Sequence, residues 1–293
     1  MHLTFVGLGL IGGSVARAVR EVGGWTAVAW SPSGSGPARA LDAGVIDAAP
    51  RTLAGALVDA DLVVLAAPPS ACLDLMTRLA DTDRAALADH AVVTDVASTK
   101  VLLGARAMYL GLRYVGGHPM AGRETSGFDA GSADLFRDRP WVVVPPAAED
   151  EAAVERVEEL ARACGARPLR MTAAEHDAAV AATSHLPLVL AAALVEAVAG
   201  GPGDPVPPGW PAAAALAAGG WASATRLARG DATMGAGIAR TNAAPLAARL
   251  RDVRDRLDEW LALLEQPSAD GLPDETMLRE RLAAARDRLG SRG

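Results

Sequence analysis

Short apolar runs recur through the first part of the chain, at residues 3–6, 26–30, 62–66, 91–96, 113–115, 141–144 and 167–170. Several are apolar almost throughout, as strands covered on both faces of a parallel sheet are. Between them, residues 15–22, 53–60, 71–79 and 149–164 repeat their apolar positions at the helical period. Strands alternating with helices predict an α/β, doubly wound domain over residues 1–172. After residue 172 the strand-like runs stop. Residues 173–199 read as a long helix interrupted at Pro187, a Pro/Gly-rich loop covers 200–211, and helices follow at 246–264 and 274–289. The first of these two carries Leu246, Leu250, Val253, Leu257, Trp260, Leu261 and Leu264 on one stripe. Residues 173–293 are therefore expected to form an all-helical second domain.

The first strand ends in Gly7-Leu8-Gly9-Leu10-Ile11-Gly12 and a helix opens there. In such a turn the first glycine permits the bend, the second keeps a side chain out of the cofactor's path, and the third lets helix and strand pack closely. The helix N-terminus then offers its amides to a pyrophosphate. This predicts a Rossmann-type dinucleotide site that includes Gly7, Gly9, Leu10, Ile11 and Gly12, with Ala67 and Pro68 after the third strand. An acid ending the second strand would bind the ribose of NAD. That place reads Trp30-Ser31-Pro32-Ser33. Ser31 and Ser33 can donate to a 2'-phosphate, although no arginine is adjacent before Arg39, so the expectation leans to NADP with NAD open.

Composition narrows the function further. The chain has 293 residues, 51% of them hydrophobic, enough for a large core. A net charge of -7 argues against nonspecific attraction to nucleic acid or anionic membranes. No apolar stretch is expected to run the roughly 20 residues a membrane helix needs, because charge, Pro or Gly interrupts each one. Cys72 and Cys164 provide neither a disulfide framework nor a metal cluster, and no leader is evident, so a cytoplasmic enzyme of small-molecule chemistry is expected. Lys100 is the sole lysine among 28 basic residues. A compact ammonium suits a confined place that the wide guanidinium does not.

Three small or polar segments follow apolar strands: residues 66–70, Thr94-Asp95-Val96-Ala97-Ser98-Thr99-Lys100, and Gly116-Gly117-His118-Pro119-Met120-Ala121-Gly122. All fall on the side where open α/β sheets bind ligands, and they are expected to converge on one crevice. His118, between glycines and a proline that discourage regular structure, can serve as a general base near neutral pH. Its glycines are expected to clear room for a substrate, and Ser98 can orient the base or the substrate. In the helical part, Glu175-His176-Asp177 and Ser184-His185-Leu186-Pro187 lie on one predicted helix. Nine residues of ideal helix place His176 and His185 on opposite faces, against a shared metal. Ser184 and His185 are expected to face the cleft, whereas His176 and Asp177 fit the start of a helix equally well. Arg226, after Thr225, can pair with a carboxylate.

With these motifs together, the chain resembles the prephenate/arogenate dehydrogenases of tyrosine biosynthesis over nearly its whole length. The resemblance implies a ring-containing diene acid as substrate, a nicotinamide cofactor, and a helical domain that builds a homodimer through the stripe at 246–264. His118 would accept the ring hydroxyl's proton while hydride leaves the same carbon, and the ring carboxylate would depart as carbon dioxide. Ser98 would bond that hydroxyl. Arg226 would bind a substrate carboxylate, with Ser184, His185, Lys100 and the gating acid Glu124 around the cleft.

Leu188, Ser223, Gly235 and Ser31 depart from the residues common in prephenate-using members and tilt the resemblance toward the arogenate-using, NADP-linked branch. A β-hydroxyacid dehydrogenase would resemble proteins with a catalytic lysine in the second domain, whereas the lone lysine here is in the first. A dehydrogenase of an amino-substituted prephenate and a non-catalytic nucleotide-sensing dimer stay as alternatives.

Overall fold

The computed structural model describes residues 1–123, 125–146, 150–268 and 270–290. Seven strands form one mostly parallel sheet: β1 (His2–Val6), β2 (Thr26–Trp30), β3 (Leu62–Leu65), β4 (Val92–Asp95), β5 (Tyr114–Pro119), β6 (Pro140–Val144) and β7 (Arg167–Arg170). Their order is β2-β1-β3-β4-β5-β6-β7, and β5 with β6 is the antiparallel pair. Helices α1 (Leu10–Val22), α2 (Ser35–Asp42), α3 (Leu53–Leu57), α4 (Pro69–Ala80), α5 (Val101–Tyr109) and α6 (Glu151–Ala163) connect them. The expected helix start at Glu149 falls outside the described residues.

Alternate strand residues feed two cores, as the two-residue period of a strand requires. Leu3, Phe5, Leu62, Val64 and Val92 pack with α1 and α6 on one face, while Val6, Val63, Leu65 and Val93 pack with α3, α4 and α5 on the other. The strand order reverses between the parallel neighbours β1 and β3, so the crevice at the carboxyl ends of these strands is the expected ligand position.

The helical part comprises α7 (Ala173–Val180), a π-helical turn (Ala181–His185), α8 (Leu186–Ala199), α9 (Trp210–Ala215), α10 (Gly219–Ala224), a 3-10 turn (Arg226–Arg229), α11 (Ala232–Thr241), α12 (Ala243–Glu265) and α13 (Glu275–Gly290). A capping box between Thr172 and Glu175 starts α7. Two compact units result, Met1–Leu246 and Ala247–Gly293. In the second, Arg281 pairs with Glu259 at 2.7 Å and stacks over Trp260 at 4.8 Å.

Two expectations need correction. Pro187 does not break the long helix: it occupies the first turn of α8, where a missing N–H costs little, and the wide π turn before it absorbs the ring. One helix, Ala173–Ala199, is consequently long and apolar enough to cross a membrane by length and composition, with a mean hydropathy of 1.9 and 22% of that window buried. The second correction concerns His118. Gly116, Gly117 and His118 are paired residues of β5, opposite Val144, Val143 and Val142 of β6. Their glycines serve the protein itself. A Cβ on Gly117 would meet the Asp95 carbonyl oxygen at 2.4 Å, and one on Gly116 would meet Lys100 Cδ at 2.9 Å.

Candidate active site

The glycine turn fits a dinucleotide. Gly7 has φ +95, and a Cβ there would stand 2.4 Å from the Ala66 carbonyl oxygen; one on Gly12 would stand 2.8 Å from Ala66 Cβ. These two glycines let β1, the start of α1 and the segment after β3 close together. Gly9 is different. Its φ is -90 and nothing lies within 4 Å of a Cβ there, so the fold does not require glycine at this position. The open space faces the first turn of α1, which carries neither a side-chain cap nor an acidic residue. Leu10 and Ile11 begin that turn, half-buried, and the half-buried Ala67 and Pro68 lead into α4. After β2, Ser31 Oγ is buried without a hydrogen-bond partner, and the exposed Ser33 hydroxyl pairs with that of Ser35 at 3.0 Å. Arg39 is paired with Asp129.

At the ends of β4 and β5 a carboxylate organises the loop. Asp95 accepts from Lys100 Nζ, from the Ala97 amide at 2.7 Å, from the Tyr114 hydroxyl and from the Gly117 amide at 3.4 Å. Lys100 is 1% exposed. Its ammonium is enclosed against Asp95, beneath the loop, a placement at odds with the direct substrate contact expected for it. Burial, followed by the Asp95 charge, pushes the Tyr114 hydroxyl well above its ordinary range.

His118, half-buried near the end of β5, bonds through Nδ1 to His176 Nε2 at 2.8 Å. His176 in turn bonds through Nδ1 to Asp177 Oδ1 at 2.7 Å. Asp177 also accepts the Lys100 and Val101 amides, at 2.7 and 2.8 Å, where the N-terminus of α5 favours its charge. This string determines where the protons are when both rings are neutral. Asp177 can only accept, so His176 carries its proton on Nδ1 and presents a lone pair at Nε2; His118 must then donate from Nδ1. Its own Nε2 keeps a free lone pair and makes no hydrogen bond to a described residue. Burial, with the charges of His176, Lys100 and His185 added, holds His118 well below 6.5, neutral and able to accept a proton.

Ser98 is half-buried, and its Oγ is enclosed without a partner among the described residues. His185 is fully buried, and burial lowers its pKa to about 4. The π turn between His176 and His185 adds a residue to the helix, so the ideal-helix premise of the opposite-face expectation does not hold here. Ser184 and Arg226 are exposed, on the π turn and on the 3-10 turn that packs against α8. Glu124 lies outside the described residues. The positions of the departures also meet in part, since a Cβ on Gly235 would touch Leu188 Cδ2 at 3.6 Å.

The family descriptions "Prephenate dehydrogenase, nucleotide-binding domain" and "Prephenate dehydrogenase, dimerization domain" match residues 15–169 and 172–279. The chain belongs to the prephenate dehydrogenase family. Prephenate dehydrogenase of Bacillus subtilis (strain 168) is 32% identical over 197 residues, 66% of this chain and 52% of that protein; the matched segment thus spans about half that relative. Prephenate dehydrogenase of Lactococcus lactis subsp. cremoris (strain MG1363) is 30% identical over 261 residues, 88% of this chain and 69% of the relative. The crystal structure of Synechocystis arogenate dehydrogenase superposes with a TM-score of 0.77 at 30% identity, covering 99% of this chain and 100% of that one. The family resemblance and the fold class expected from the sequence are thereby borne out.

In this family member the role of His176 and Asp177 was not legible beforehand. Neighbouring polar residues at the start of a helix carry no sign of a partner on a distant strand. Asn242, buried at the end of α11, left no signal at all.

Proposed function

We propose that the chain is a nicotinamide-dependent dehydrogenase that oxidatively decarboxylates arogenate and/or prephenate, giving tyrosine and/or 4-hydroxyphenylpyruvate. The observation that carries this reading is the Asp177-His176-His118 string, which leaves His118 Nε2 as an unprotonated base beside the carboxyl ends of the strands. A bound nicotinamide dinucleotide supplies the hydride acceptor. The remaining work falls to this chain. His118 Nε2 takes the proton of the ring hydroxyl, and Ser98 Oγ, which has no partner among the described residues, bonds the same oxygen. Arg226, exposed on its turn, binds a substrate carboxylate; Ser184 lies at the same helical segment. Loss of carbon dioxide leaves an aromatic ring, so the reaction is driven by its product and the protein chiefly orients the ring. Gly7, Gly9 and Gly12 with the first turn of α1 would hold the pyrophosphate.

The cofactor reading leans to NADP. Beyond β2 the chain offers serine hydroxyls and no carboxylate, and a carboxylate there would repel a 2'-phosphate. We also assign the chain to a homodimer in the cytoplasm. The family's second domain is described as a dimerization domain, and α8 leaves most of its apolar residues only half-buried in the single chain, with Leu194 exposed.

The decisive experiment mixes purified protein with prephenate or L-arogenate and with NAD or NADP, and follows the absorbance of the reduced nicotinamide. Turnover with at least one pair is expected, and its loss by about 10²-fold or more in His118→Asn, with cofactor binding kept. Silence of all four pairs refutes the reading and leaves the amino-substituted substrate or a non-catalytic role. Undiminished turnover of His118→Asn removes His118 from the chemistry.

A further inference from the structure

The end of α11 reaches the site from a direction the reaction does not explain. Thr241 and Asn242 are 7% and 2% exposed. Thr241 Oγ1 donates to the Gly237 carbonyl at 2.7 Å, so the Thr99 hydroxyl, 2.9 Å away, is the donor between the two threonines. Asn242 Nδ2 donates to the Asp177 carbonyl at 2.8 Å and lies 3.0 Å from His185 Nδ1. A main-chain carbonyl can only accept, which fixes the orientation of the amide. Its second N–H then points to His185 Nδ1, and that nitrogen must be the unprotonated one. The proton of neutral His185 is thus on Nε2. This atom is enclosed without a hydrogen-bond partner among the described residues.

We propose that Asn242 is a positioning residue of this site: it locks His185 as the Nε2–H tautomer and fixes its ring against α7, while the neighbouring Thr241 holds the same helix end to Thr99, next to Ser98. One amide joins α7 and the π turn, and the two threonines tie α11 to the loop after β4. Burial keeps His185 uncharged. Asp177 opposes that effect, while His176 on α7 reinforces it and His118 of β5 lies close enough to be influenced by the same ring.

The kinetic part of the proposal rests on the proposed dehydrogenase reading, whereas its tautomer part does not. The test uses the full chain labelled with nitrogen-15 histidine, which has only five imidazoles to resolve. A His185→Gln sample identifies the His185 signals, and long-range proton–nitrogen spectra at pH 7 read which nitrogen holds the proton. Wild type is expected to show His185 protonated at Nε2 alone. In Asn242→Asp the carboxylate accepts instead, so His185 should gain a proton at Nδ1. In Asn242→Ala the lock is lost, and exchange between the two tautomers is expected. With a working substrate pair, both variants should lose kcat about tenfold or more while the KM for cofactor stays put. A wild-type His185 protonated at Nδ1 overturns the proposal even if both variants fail to fold. So does an Asn242→Asp protein whose His185 tautomer is unchanged, or one that is changed yet turns over normally. If no substrate pair is turned over while the tautomers behave as stated, the functional reading fails and the assignment of Asn242 to His185 stands.

Discussion

Replacing Lys100 by Met should unfold the protein more readily before it affects any substrate contact. Both side chains of the Lys100–Asp95 pair have no exposed surface. Methionine keeps the slim stem that passes Gly116 but leaves the Asp95 carboxylate with three neutral donors and no counter-charge. Breaking one side of a buried pair costs about 3–5 kcal/mol, because the remaining charge stays out of water. In Asp95→Asn/Lys100→Met the charge is gone, the amide oxygen can still accept the Ala97 amide, and the Tyr114 hydroxyl can turn to accept from the new NH2. That double variant should recover all but about 1–2 kcal/mol. Lys100→Arg should behave like the methionine variant, since the guanidinium has no room beside Gly116. Urea titrations at pH 7, followed by the fluorescence of the buried Trp141, measure all four proteins. A Lys100→Met variant within about 1 kcal/mol of wild type, or a double variant no more stable than the single, would refute the account. A raised substrate KM with unchanged stability would return Lys100 to the substrate.

Three further outcomes follow from the same geometry. Gly117→Ala places a Cβ against the Asp95 main chain, so a loss of at least about 2 kcal/mol and a fall in turnover are expected in thermal melts and rate assays; an unchanged melting temperature would contradict the close approach of β5 to the loop. Gly9→Val should leave the melting temperature nearly unaltered, since the space is open, yet weaken dinucleotide binding about tenfold or more by calorimetry; unimpaired binding would move the cofactor elsewhere. His118 must be neutral to accept a proton, and its lowered pKa means that it becomes charged only well below pH 6.5. The kcat/KM should therefore hold on its plateau as the pH falls through 6.5 and decline further down, and a decline centred at 6.5 or above would show a base that is not held neutral by burial.

The alternation of strands and helices was legible because the central strands are buried on both faces, so Leu62–Leu65 stands out as an unbroken apolar run. The glycine turn was legible for an equally local reason: strand, glycines and helix are contiguous. The strand at Gly116–Pro119 was not. Glycine and proline weigh against a strand in isolation, and only the close approach of Asp95, Lys100 and β6 explains why glycine is required there. The helix between His176 and His185 is not ideal, and nothing local in the sequence marks the one-residue widening of the π turn. Lys100 was noticed for its rarity, but its partner Asp95 lies five positions earlier in a motif that reads as a substrate loop. Long-range polar pairs such as His118 with His176 leave no periodic trace in a sequence.

The antiparallel pairing of β5 with β6 has an evolutionary consequence. It holds His118 in a ladder of main-chain bonds opposite Val142, and main-chain bonds survive most changes of side chain. Ser184 and Arg226, by contrast, are carried on short exposed turns of the helical part. Mutation is therefore free to retune what the far end of a substrate looks like while the proton acceptor stays where it is. A lineage built this way would diversify in the molecules it accepts long before it changed the reaction it performs.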